Sequence, residues 1–435
     1  MNRFKILDYI RGIKSVEYTS EILKLWESTD VHDRAIQRQK ENLICFLMNL
    51  RGNEFFSKYL KGVGDDEIKK DPYHVILRLP VTDKTIIRTH FEEIHNKAYR
   101  GEKAYTGGST GSPFHYIVGK DLLTKTIGFT QASWIRFGSY HYSDNVLVIG
   151  GTSIGGSESL KRKLLHFLQR RKFISGGIVN KENALLIAQY INTAIRPITI
   201  YGYPSSIAQY IRIFIEDNIQ IDRSKIKTIL VTSETMFDDR KKFIESFFNH
   251  DVINLYGARD SGISSVSTDN KVFYYNGMDC YVENIEYDGQ KELVVTNLHN
   301  HVFPFVRYRI GDIASVELRK EGYPFVLTDL IGRTRDFISL PDGKKIHGSI
   351  LNKVFKQYDI AEYQIEQYED FHCVVRLEWK VCSDIEQQTT KLSNVLQMLL
   401  ENVKLDILTV PKIERAKNSK LRNIISHTNN KISDQ

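Results

Sequence analysis

The chain has 435 residues, 41% of them hydrophobic, which is enough for a sizeable core and too long for one ordinary domain. Its 60 lysine and arginine residues are nearly balanced by 53 acidic residues, so the net charge of +7 indicates no concentrated basic face, and we predict no nucleic-acid partner. The four cysteines form no C-x-x-C pair, which argues against a zinc module or a disulfide framework. Because no segment has the apolar length of a membrane span or a signal-peptide core, we predict a cytoplasmic protein without a transmembrane segment.

Residues 106–113 read TGGSTGSP, a segment made only of glycine, serine, threonine and proline. Backbone N–H groups and hydroxyls on a flexible path suit an anion, so the segment predicts a phosphate-binding loop. It does not match the Walker A pattern, because Ser112 and Pro113 follow its last glycine, and it lacks the dinucleotide spacing G-x-G-x-x-G. On composition alone, a polar surface turn is an open alternative.

The first part of the chain is predicted to be mostly helical. Apolar residues between positions 31 and 60 recur at helical spacings, the pattern of one buried helix face. The segment 79–84, LPVTDK, breaks the chain with a proline and offers Thr82 as the cap of the next helix. Two further helices are predicted over 121–137 and 157–171. The apolar face of the second one comprises Leu160, Leu164, Phe167 and Leu168.

From position 197 onward, strands and helices alternate, which predicts parallel strands joined by helical crossovers. The predicted strands cover 198–204, 227–234 and 252–257, and the helices between them cover 205–217 and 238–249. Ligands of such sheets bind at the carboxyl ends of the strands. Tyr203, Glu234 and Tyr256 stand at these ends and are therefore candidate binding residues.

The predicted secondary structure of the remaining sequence changes at two points. After Gly262, short β-runs separated by turn signals predict a β-rich subdomain over about 263–331. From 332 to 435, hairpins mix with helices predicted at 349–357 and 383–400, which indicates a separate small unit. The fold class is therefore α/β, with a large N-terminal domain over 1–331 that contains mixed and parallel sheets, and a small α+β C-terminal domain over 332–435.

Six motifs occur in an order that resembles one family. They are LPVTDK at 79–84, TGGSTGSP at 106–113, YGARDSG at 256–262, YRIGDIA at 308–314, IGRTRDFI at 331–338 and NSKLR at 418–422. In this order and spacing the chain resembles the adenylate-forming superfamily of acyl-CoA synthetases. Within it, the chain is similar to the phenylacetate–CoA ligase group and its CapK-type relatives of capsular polysaccharide biosynthesis.

The resemblance implies an AMP-forming acid–thiol ligase that uses ATP and Mg²⁺. A carboxylic acid would be activated as an acyl-adenylate and passed to a thiol, either CoA or the phosphopantetheine of an acyl carrier protein. The small C-terminal domain would turn between the two half-reactions, which lets one pocket perform both. A CapK-type role would place the product in surface polysaccharide synthesis, where a glycan-pathway acyltransferase is the expected partner.

The resemblance also implies roles for individual residues. Nucleotide binding falls on Thr106, Gly107, Gly108, Ser109, Thr110, Gly111, Ser233, Glu234, Tyr256, Gly257, Asp312 and Arg333. Acid binding falls on Tyr203, Pro204, Ser205, Tyr256, Gly257 and Ala258. Catalysis falls on Lys420 and Arg333, metal binding on Asp260, and the hinge on Arg335 and Asp336.

The chemistry of these side chains agrees with the implied roles. The Asp312 carboxylate can accept two hydrogen bonds from the ribose diol, and the Arg333 guanidinium fork suits ribose and phosphate. Lys420 would stabilise the charge that develops as a carboxylate oxygen attacks the α-phosphorus. Without the resemblance, a helix cap at Asp260, a turn at Asp312, a core position for Tyr256 and a solvated tail around Lys420 stay open.

Three positions depart from the family pattern. Asp260 stands where the family has glutamate, Ser419 replaces a glycine, and Phe114 occupies the position of a lysine often found after the loop proline. Two alternatives to an acid–thiol ligase are open, and the departures at Asp260 and Ser419 bear on the second of them. One is a ligase that transfers the acyl or AMP group elsewhere, like coenzyme F390 synthetase or acyl-protein synthetase. The other is a nucleotide-binding member of the fold without catalytic turnover.

Overall fold

In this computed structural model, the described residues are 3–106, 114–151, 165–287, 290–333, 337–380, 384–415 and 421–428. The chain divides into two compact units, Met1–Leu330 and Ile331–Gln435, and each is described by itself. No helix in these ranges combines the length and the apolar character needed to cross a membrane.

The helices of the first unit are α1 (Arg3–Arg11), α2 (Ser15–Trp26), α3 (Val31–Leu50), α4 (Asp65–Lys70), α5 (Pro72–Leu77), α6 (Lys84–Thr89), α7 (Phe91–Ile94), α8 (Lys120–Gly138), α9 (Lys181–Thr193), α10 (Pro204–Glu216) and α11 (Asp238–Phe248). The predicted helices at 121–137, 205–217 and 238–249 are confirmed as α8, α10 and α11. The apolar spacing after position 31 is confirmed by α3, whose Leu43, Leu47 and Leu50 are buried.

The strands of the first unit are β1 (Gly101–Thr106), β2 (Phe114–Gly119), β3 (Asn145–Gly150), β4 (Arg171–Ser175), β5 (Ile198–Gly202), β6 (Ile226–Thr232), β7 (Val252–Ala258), β8 (Ile263–Ser267), β9 (Phe273–Tyr275), β10 (Cys280–Tyr287), β11 (Gln290–Asn297), β12 (Tyr308–Leu318) and β13 (Phe325–Arg333). Strands β1 and β2 form an antiparallel pair of their own. The other eleven form one sheet in the order β10-β11-β12-β13-β9-β8-β7-β6-β5-β3-β4.

One half of the large sheet is parallel, as the alternation of strands and helices predicts. Strands β4, β3, β5, β6 and β7 are parallel neighbours. Helices α9, α10 and α11 bury Ile187, Ile211 and Ile244 against one face of these strands. Helix α8 covers the other face with Trp134. Both faces of the parallel strands are therefore covered by helices. The carboxyl ends of these strands form the edge of the sheet at which ligands of such folds bind.

The other half of the sheet is antiparallel and belongs to the predicted β-rich region. Strands β7 and β8 are antiparallel neighbours. Strand β9 pairs antiparallel with β8 on one side and with β13 on the other. Strands β10, β11 and β12 form an antiparallel meander at the edge. The β-rich residues thus extend the parallel sheet without a break, and the change from parallel to antiparallel pairing falls between β7 and β8.

Two local predictions differ from the structure. Asp83, not Thr82, caps α6, because its carboxylate accepts a hydrogen bond from the Ile86 N–H. Thr82 instead donates its hydroxyl to the Val306 carbonyl, at 2.7 Å. The helix predicted to reach residue 171 ends at residue 168, and Phe167 is exposed rather than buried. Residues 152–164, which contain most of that predicted helix, lie outside the described ranges.

A buried polar cluster joins α2 to the antiparallel strands. The Tyr18 hydroxyl lies 2.7 and 2.9 Å from the two carboxylate oxygens of Asp279, and His299 Nε2 lies 2.9 Å from the same carboxylate. Burial alone would raise the pKa of Asp279, but the His299 hydrogen bond, the Lys125 charge and the Tyr18 hydroxyl together lower it. The carboxylate is therefore ionised in the core and depends on these partners.

The second unit is an α+β structure with its own core. It contains β14 (Phe337–Ser339), β15 (Lys345–His347), α12 (Gly348–Phe355), β16 (Ile360–Gln367), β17 (Cys373–Trp379), α13 (Ile385–Leu399), β18 (Leu405–Thr409) and β19 (Ile424–Ser426). Four strands form a sheet in the order β18-β17-β16-β19. The helices bury Leu351, Leu392 and Leu396 with these strands. The helices predicted at 349–357 and 383–400 are confirmed as α12 and α13.

Replacing Tyr18 with phenylalanine removes one hydrogen-bond donor from a buried carboxylate. We expect the Tyr18→Phe variant to lose about 1–3 kcal/mol of unfolding free energy, the cost of an unsatisfied buried group. Denaturant unfolding measures this loss. Tyr9→Phe is the matched control, because Tyr9 is 88% exposed and its hydroxyl is already solvated. Equal stability of the two variants would contradict a structural role for the cluster.

Candidate functional site

The carboxyl ends of β5 and β6 are joined by a hydrogen bond between two predicted site residues. Glu234, which follows β6, accepts a hydrogen bond from the Ser205 N–H at 3.1 Å. Ser205 lies in the first turn of α10, where backbone N–H groups have no partner within the helix. A carboxylate at that position satisfies one of these groups and interacts favourably with the helix dipole. Glu234 is therefore held at the strand edge by α10.

The predicted site residues that follow β5 and β6 differ in exposure. Tyr203, Pro204 and Ser205 are buried at the start of α10. The Tyr203 N–H donates to the Ile149 carbonyl, so its backbone belongs to the junction of β3 and β5. Ser233, by contrast, is exposed and has a left-handed φ of 73°. A non-glycine residue in this region is uncommon and is a frequent feature of binding sites.

The turn between β7 and β8 brings the YGARDSG residues to the same edge. Tyr256, Gly257 and Ala258 pair with Ser265, Ser264 and Ile263 across the hairpin. A Cβ atom on Gly257 would lie 2.7 Å from the Ile263 carbonyl oxygen, so the position requires glycine. Gly257 itself is exposed, and its backbone is accessible at the edge of the sheet.

Asp260 lies in this tight turn and is only 6% exposed. No helix begins there, so the alternative that Asp260 is a helix cap is wrong. One carboxylate oxygen accepts the Tyr308 hydroxyl at 3.0 Å, and the other accepts the Ser261 N–H at 3.1 Å. Burial, together with the charge and the hydrogen bond of Asp260, raises the pKa of Tyr308. Tyr308 is therefore a permanent donor that fixes the Asp260 carboxylate.

A second tyrosine fixes a second carboxylate. The Tyr256 hydroxyl donates to Asp312 Oδ2 at 2.7 Å, across 56 residues of sequence. Asp312 lies inside β12 and is 7% exposed, so the alternative of a simple turn at this position is wrong. Gly311 before it has a φ of 77°, and the pairing of β11 with β12 shifts register in this region. Such an irregularity re-aims the side chain that follows it.

Two buried hydroxyls near β1 and β2 have no hydrogen-bond partner within the described part of the chain. They are the hydroxyls of Thr106 and Tyr116. Thr106 pairs with Phe114, and Tyr116 lies two residues further along β2, so all three side chains share one face of the strand pair. Burial raises the pKa of Tyr116, and the charge of Asp260 raises it further. Tyr116 thus lies within electrostatic reach of Asp260.

Two cations lie next to the same face. Lys84 Nζ and Arg88 Cζ are each 5.8 Å from the centroid of the Phe114 ring. The Phe114 ring also stacks on Tyr308, at a centroid distance of 6.3 Å and an interplanar angle of 9°. The sequence gives no reason to select Lys84, Arg88, Tyr116 or Tyr308 individually, although Lys84 and Tyr308 belong to two of the recognised motifs.

Several predicted residues cannot be placed. Residues 107–111 of the loop, Arg335, Asp336 and Lys420 lie outside the described ranges, and Arg333 is the last residue of β13. The described residues place Thr106 at the end of β1, and they bring Tyr256 to Asp312 and Ser205 to Glu234.

Comparison with solved structures shows which fold the chain has. The chain has the fold of adenylate-forming ligases. It is similar to a crystal structure of 2-hydroxyisobutyryl-CoA ligase in the postadenylation state in complex with 2-HIB-AMP, with a TM-score of 0.68 and 16% identity over 92% of this chain and 90% of that chain. It is also similar to an anthranilate CoA ligase in complex with anthranoyl-AMP, with a TM-score of 0.52 and 13% identity over 73% of this chain and 65% of that chain.

Sequence comparison adds two curated relatives. Protein CapK of Staphylococcus aureus is 26% identical over 373 residues, which cover 83% of this chain and 81% of the relative. Indoleacetate–lysine synthetase of Pseudomonas savastanoi is 27% identical over 161 residues, 36% of this chain and 38% of the relative. No protein-family model matches the chain. Together with the structural likeness, these relatives support placement in the adenylate-forming superfamily, as the order of the motifs predicts.

The glycine in the β7–β8 hairpin provides a test of this part of the structure. We expect Gly257→Ala to lower the unfolding free energy by about 1–3 kcal/mol, because the added methyl group collides with the Ile263 carbonyl oxygen. The measurement is denaturant unfolding. Gly64→Ala is the matched control, since no atom lies within 4 Å of the added group, and we expect a change within about 0.5 kcal/mol. A neutral Gly257→Ala would mean that the hairpin is not paired as described.

Proposed function

We propose that the protein is an ATP-dependent ligase that activates a carboxylic acid as an acyl-adenylate. A carboxylate oxygen attacks the α-phosphorus of ATP, a bond to phosphorus forms, and pyrophosphate leaves with the bonding electron pair. In the second half-reaction a thiolate, of CoA or of phosphopantetheine, attacks the acyl carbonyl carbon and AMP leaves. Because two anions must meet in the first step, the site has to balance negative charge.

The single observation that carries this proposal is the hydrogen bond between Tyr256 and Asp312. These residues come from two different motifs, and the fold brings them together at the edge where ligands of parallel sheets bind. The Tyr256 hydroxyl orients the Asp312 carboxylate, and a carboxylate is the group that accepts hydrogen bonds from a ribose diol. Tyr256 is partly exposed, and its ring is proposed to contact the adenine.

Asp260 is the residue proposed to hold Mg²⁺. Its two described hydrogen bonds, from Tyr308 and Ser261, use one acceptor position on each oxygen, so the carboxylate retains capacity for a metal ion. Protein sites for Mg²⁺ commonly supply one or two carboxylates and leave the other positions to phosphate oxygens and water. The ion would neutralise charge on the phosphates. Aspartate reaches less far than the glutamate of the family pattern. The hydrogen bond from Tyr308 fixes the orientation of the Asp260 carboxylate.

The acid is proposed to bind along the exposed backbone of the β7–β8 hairpin, at Gly257 and Ala258. Tyr203, Pro204 and Ser205 would form the buried wall behind it. Glu234 and the exposed Ser233 would border the adenine. In this arrangement, Arg333 interacts with ribose and phosphate, and Lys420 stabilises the charge at the α-phosphorus. The turn of the small domain about Arg335 and Asp336 is part of the same proposal.

A second acceptor class is favoured by one of the relatives. The name indoleacetate–lysine synthetase indicates an enzyme that joins a carboxylic acid to an amine rather than to a thiol. Transfer of the acyl group to an amine is therefore the second candidate, and mass spectrometry of the product separates an amide from a thioester. The likeness to CapK supports a role in surface polysaccharide synthesis, which would make a glycan-pathway acyltransferase or a carrier protein the next partner.

The test of the adenylation step is pyrophosphate release from ATP and Mg²⁺ over a panel of carboxylic acids. We expect acid-dependent release in the native protein and a fall of about 100-fold or more in Lys420→Ala, because a charge that stabilises the transition state is lost. Lys417→Ala is the control, because Lys417 is a lysine three positions before Lys420 in the sequence, and this variant should retain the native rate. Absence of release with every acid, in a protein that still binds ATP, would favour a non-catalytic member of the fold.

The ribose contact gives an independent expectation. Asp312→Asn should weaken the binding of both ATP and AMP by about tenfold or more, because a charge-assisted hydrogen bond to the ribose is lost. Isothermal titration calorimetry measures both affinities. Asp329→Asn serves as the control, since Asp329 is a carboxylate of the neighbouring strand β13 that accepts a hydrogen bond from Ser315. Unchanged affinities in Asp312→Asn would remove Asp312 from the proposed site.

A further inference from the structure

Lys84 and Arg88 of α6 lie over the first residue of β2, which directly follows the TGGSTGSP segment in sequence. We propose that this pair of cations binds the β and γ phosphates of ATP and replaces a basic residue that the segment itself lacks. The proposal rests on the proposed function and adds two residues that supply charge for the triphosphate.

The need for external charge is visible in the sequence. None of the residues 106–113 carries a positive charge. Backbone N–H groups and hydroxyls can cradle phosphate oxygens, but they bring only partial charges. A triphosphate that must meet a carboxylate needs full positive charges near its leaving end. Besides Mg²⁺, these charges have to come from side chains outside the loop.

Lys84 and Arg88 have the required placement. They are four residues apart on α6, so their side chains share one face of the helix. Both reach the Phe114 ring at 5.8 Å, and this ring is fully buried and also stacks on Tyr308. Lys84 is half-buried and Arg88 is exposed, so the two charges lie at the surface above the end of the strand pair.

The position of α6 is fixed by the strand that carries Tyr308. The Thr82 N–H donates to the Arg307 carbonyl at 2.9 Å, and the Arg309 N–H donates to the Thr82 carbonyl at 2.8 Å. Thr82 therefore adds a short parallel bridge beside Tyr308. Asp83 then caps α6, so the helix starts immediately beside this bridge. The cations are held in a fixed register relative to Tyr308 and its bonded Asp260.

The two orphaned hydroxyls are an independent observation that points to a ligand. Tyr116 is 1% exposed, and its hydroxyl has no partner within the described part of the chain. The Thr106 hydroxyl is also buried without a partner within the described part of the chain. Thr106 lies on the same face of β1 and β2 as Phe114. Buried polar groups are normally satisfied, and an orphaned buried donor is destabilising. Phosphate oxygens beside the cations would accept hydrogen bonds from both hydroxyls.

The geometry also separates two kinds of charge. The cations lie next to the Phe114 ring, which stacks on Tyr308, and the Asp260 carboxylate is bonded to the Tyr308 hydroxyl. A triphosphate between them would meet lysine and arginine directly and meet Asp260 through the metal ion. Phe114 acts as a positioning residue, because its ring holds the two cations where the family often has a lysine.

The experiment compares three ligands in the full-length protein by titration calorimetry: ATP, AMP and inorganic tripolyphosphate. Single variants Lys84→Met and Arg88→Met, and the double variant, are compared with Lys58→Met. Lys58 is a matched control, because its Nζ also lies over aromatic rings, those of Phe55 and Tyr59, but not over Phe114. Thermal unfolding of each variant verifies that the fold is retained.

We expect each single variant to weaken ATP and tripolyphosphate binding about tenfold, the effect of losing a charge-assisted hydrogen bond, and the double variant to weaken it further. AMP binding should stay within about twofold of the native value, because AMP lacks the β and γ phosphates. Lys58→Met should bind all three ligands normally. Lys84→Arg should retain most of the ATP affinity, since the charge is kept.

Two outcomes would overturn the inference: ATP affinity unchanged in the double variant, or ATP and AMP affinity lowered by the same factor. Failure of the proposed function has a different signature. If tripolyphosphate and ATP bind through Lys84 and Arg88 but no acid gives pyrophosphate release, the cation pair stands and the ligase proposal fails. If pyrophosphate release is native in the double variant at limiting ATP, the ligase stands and the cation pair fails.

Discussion

Two buried carboxylates, each held by a tyrosine hydroxyl, are the constraint on which the candidate site depends. Asp312 is bonded to Tyr256, and Asp260 is bonded to Tyr308. A buried carboxylate without a donor is costly, so each aspartate requires its tyrosine in a fixed position. The tyrosines belong to β7 and β12, two strands that are far apart in the order of the sheet. The site therefore forms only when the whole antiparallel half has its correct register.

The junction between the two halves of the sheet explains why the site lies where it does. Strands β5, β6 and β7 end at one edge, as in any parallel α/β sheet. The chain then turns back at Asp260 and runs antiparallel as β8, so the edge gains the hairpin residues that a purely parallel sheet would lack. Gly257 permits the close approach of the hairpin backbones, and Gly311 re-aims Asp312 within β12. Backbone geometry and charge placement are thus coupled.

Charge is distributed around this edge in a way that suits two anionic reactants. The carboxylates are buried and oriented, whereas Lys84 and Arg88 remain at the surface. A cation at the surface can be reached by a phosphate from solution. The chain shares the fold of a solved structure to which it is 16% identical, so most side chains differ between the two while the fold is the same.

The sequence by itself determined the class of the fold and indicated candidate site residues, whose roles stay predictions. Alternating apolar segments predicted β5, β6 and β7 with their helices because burial on both faces leaves a continuous pattern in the sequence. The order of the motifs indicated the superfamily. The structure describes where Asp260, Asp312 and Tyr256 lie, and their roles stay predictions, as do those of the loop at 107–111, Arg335, Asp336 and Lys420.

Only the tertiary structure decided which of these residues meet. Nothing local to Tyr256 indicates that its hydroxyl reaches Asp312, or that Glu234 bonds to the start of α10, because both contacts join distant segments. The cap of α6 was misassigned for the same reason: Thr82 has a suitable side chain for a cap, but its hydroxyl is used by the Val306 carbonyl. Likewise, Lys84 and Arg88 are ordinary surface cations in sequence, and only the packing of Phe114 against Tyr308 gives them a common position. Long-range hydrogen bonds and ring packing have no periodicity along the chain, so sequence patterns do not record them.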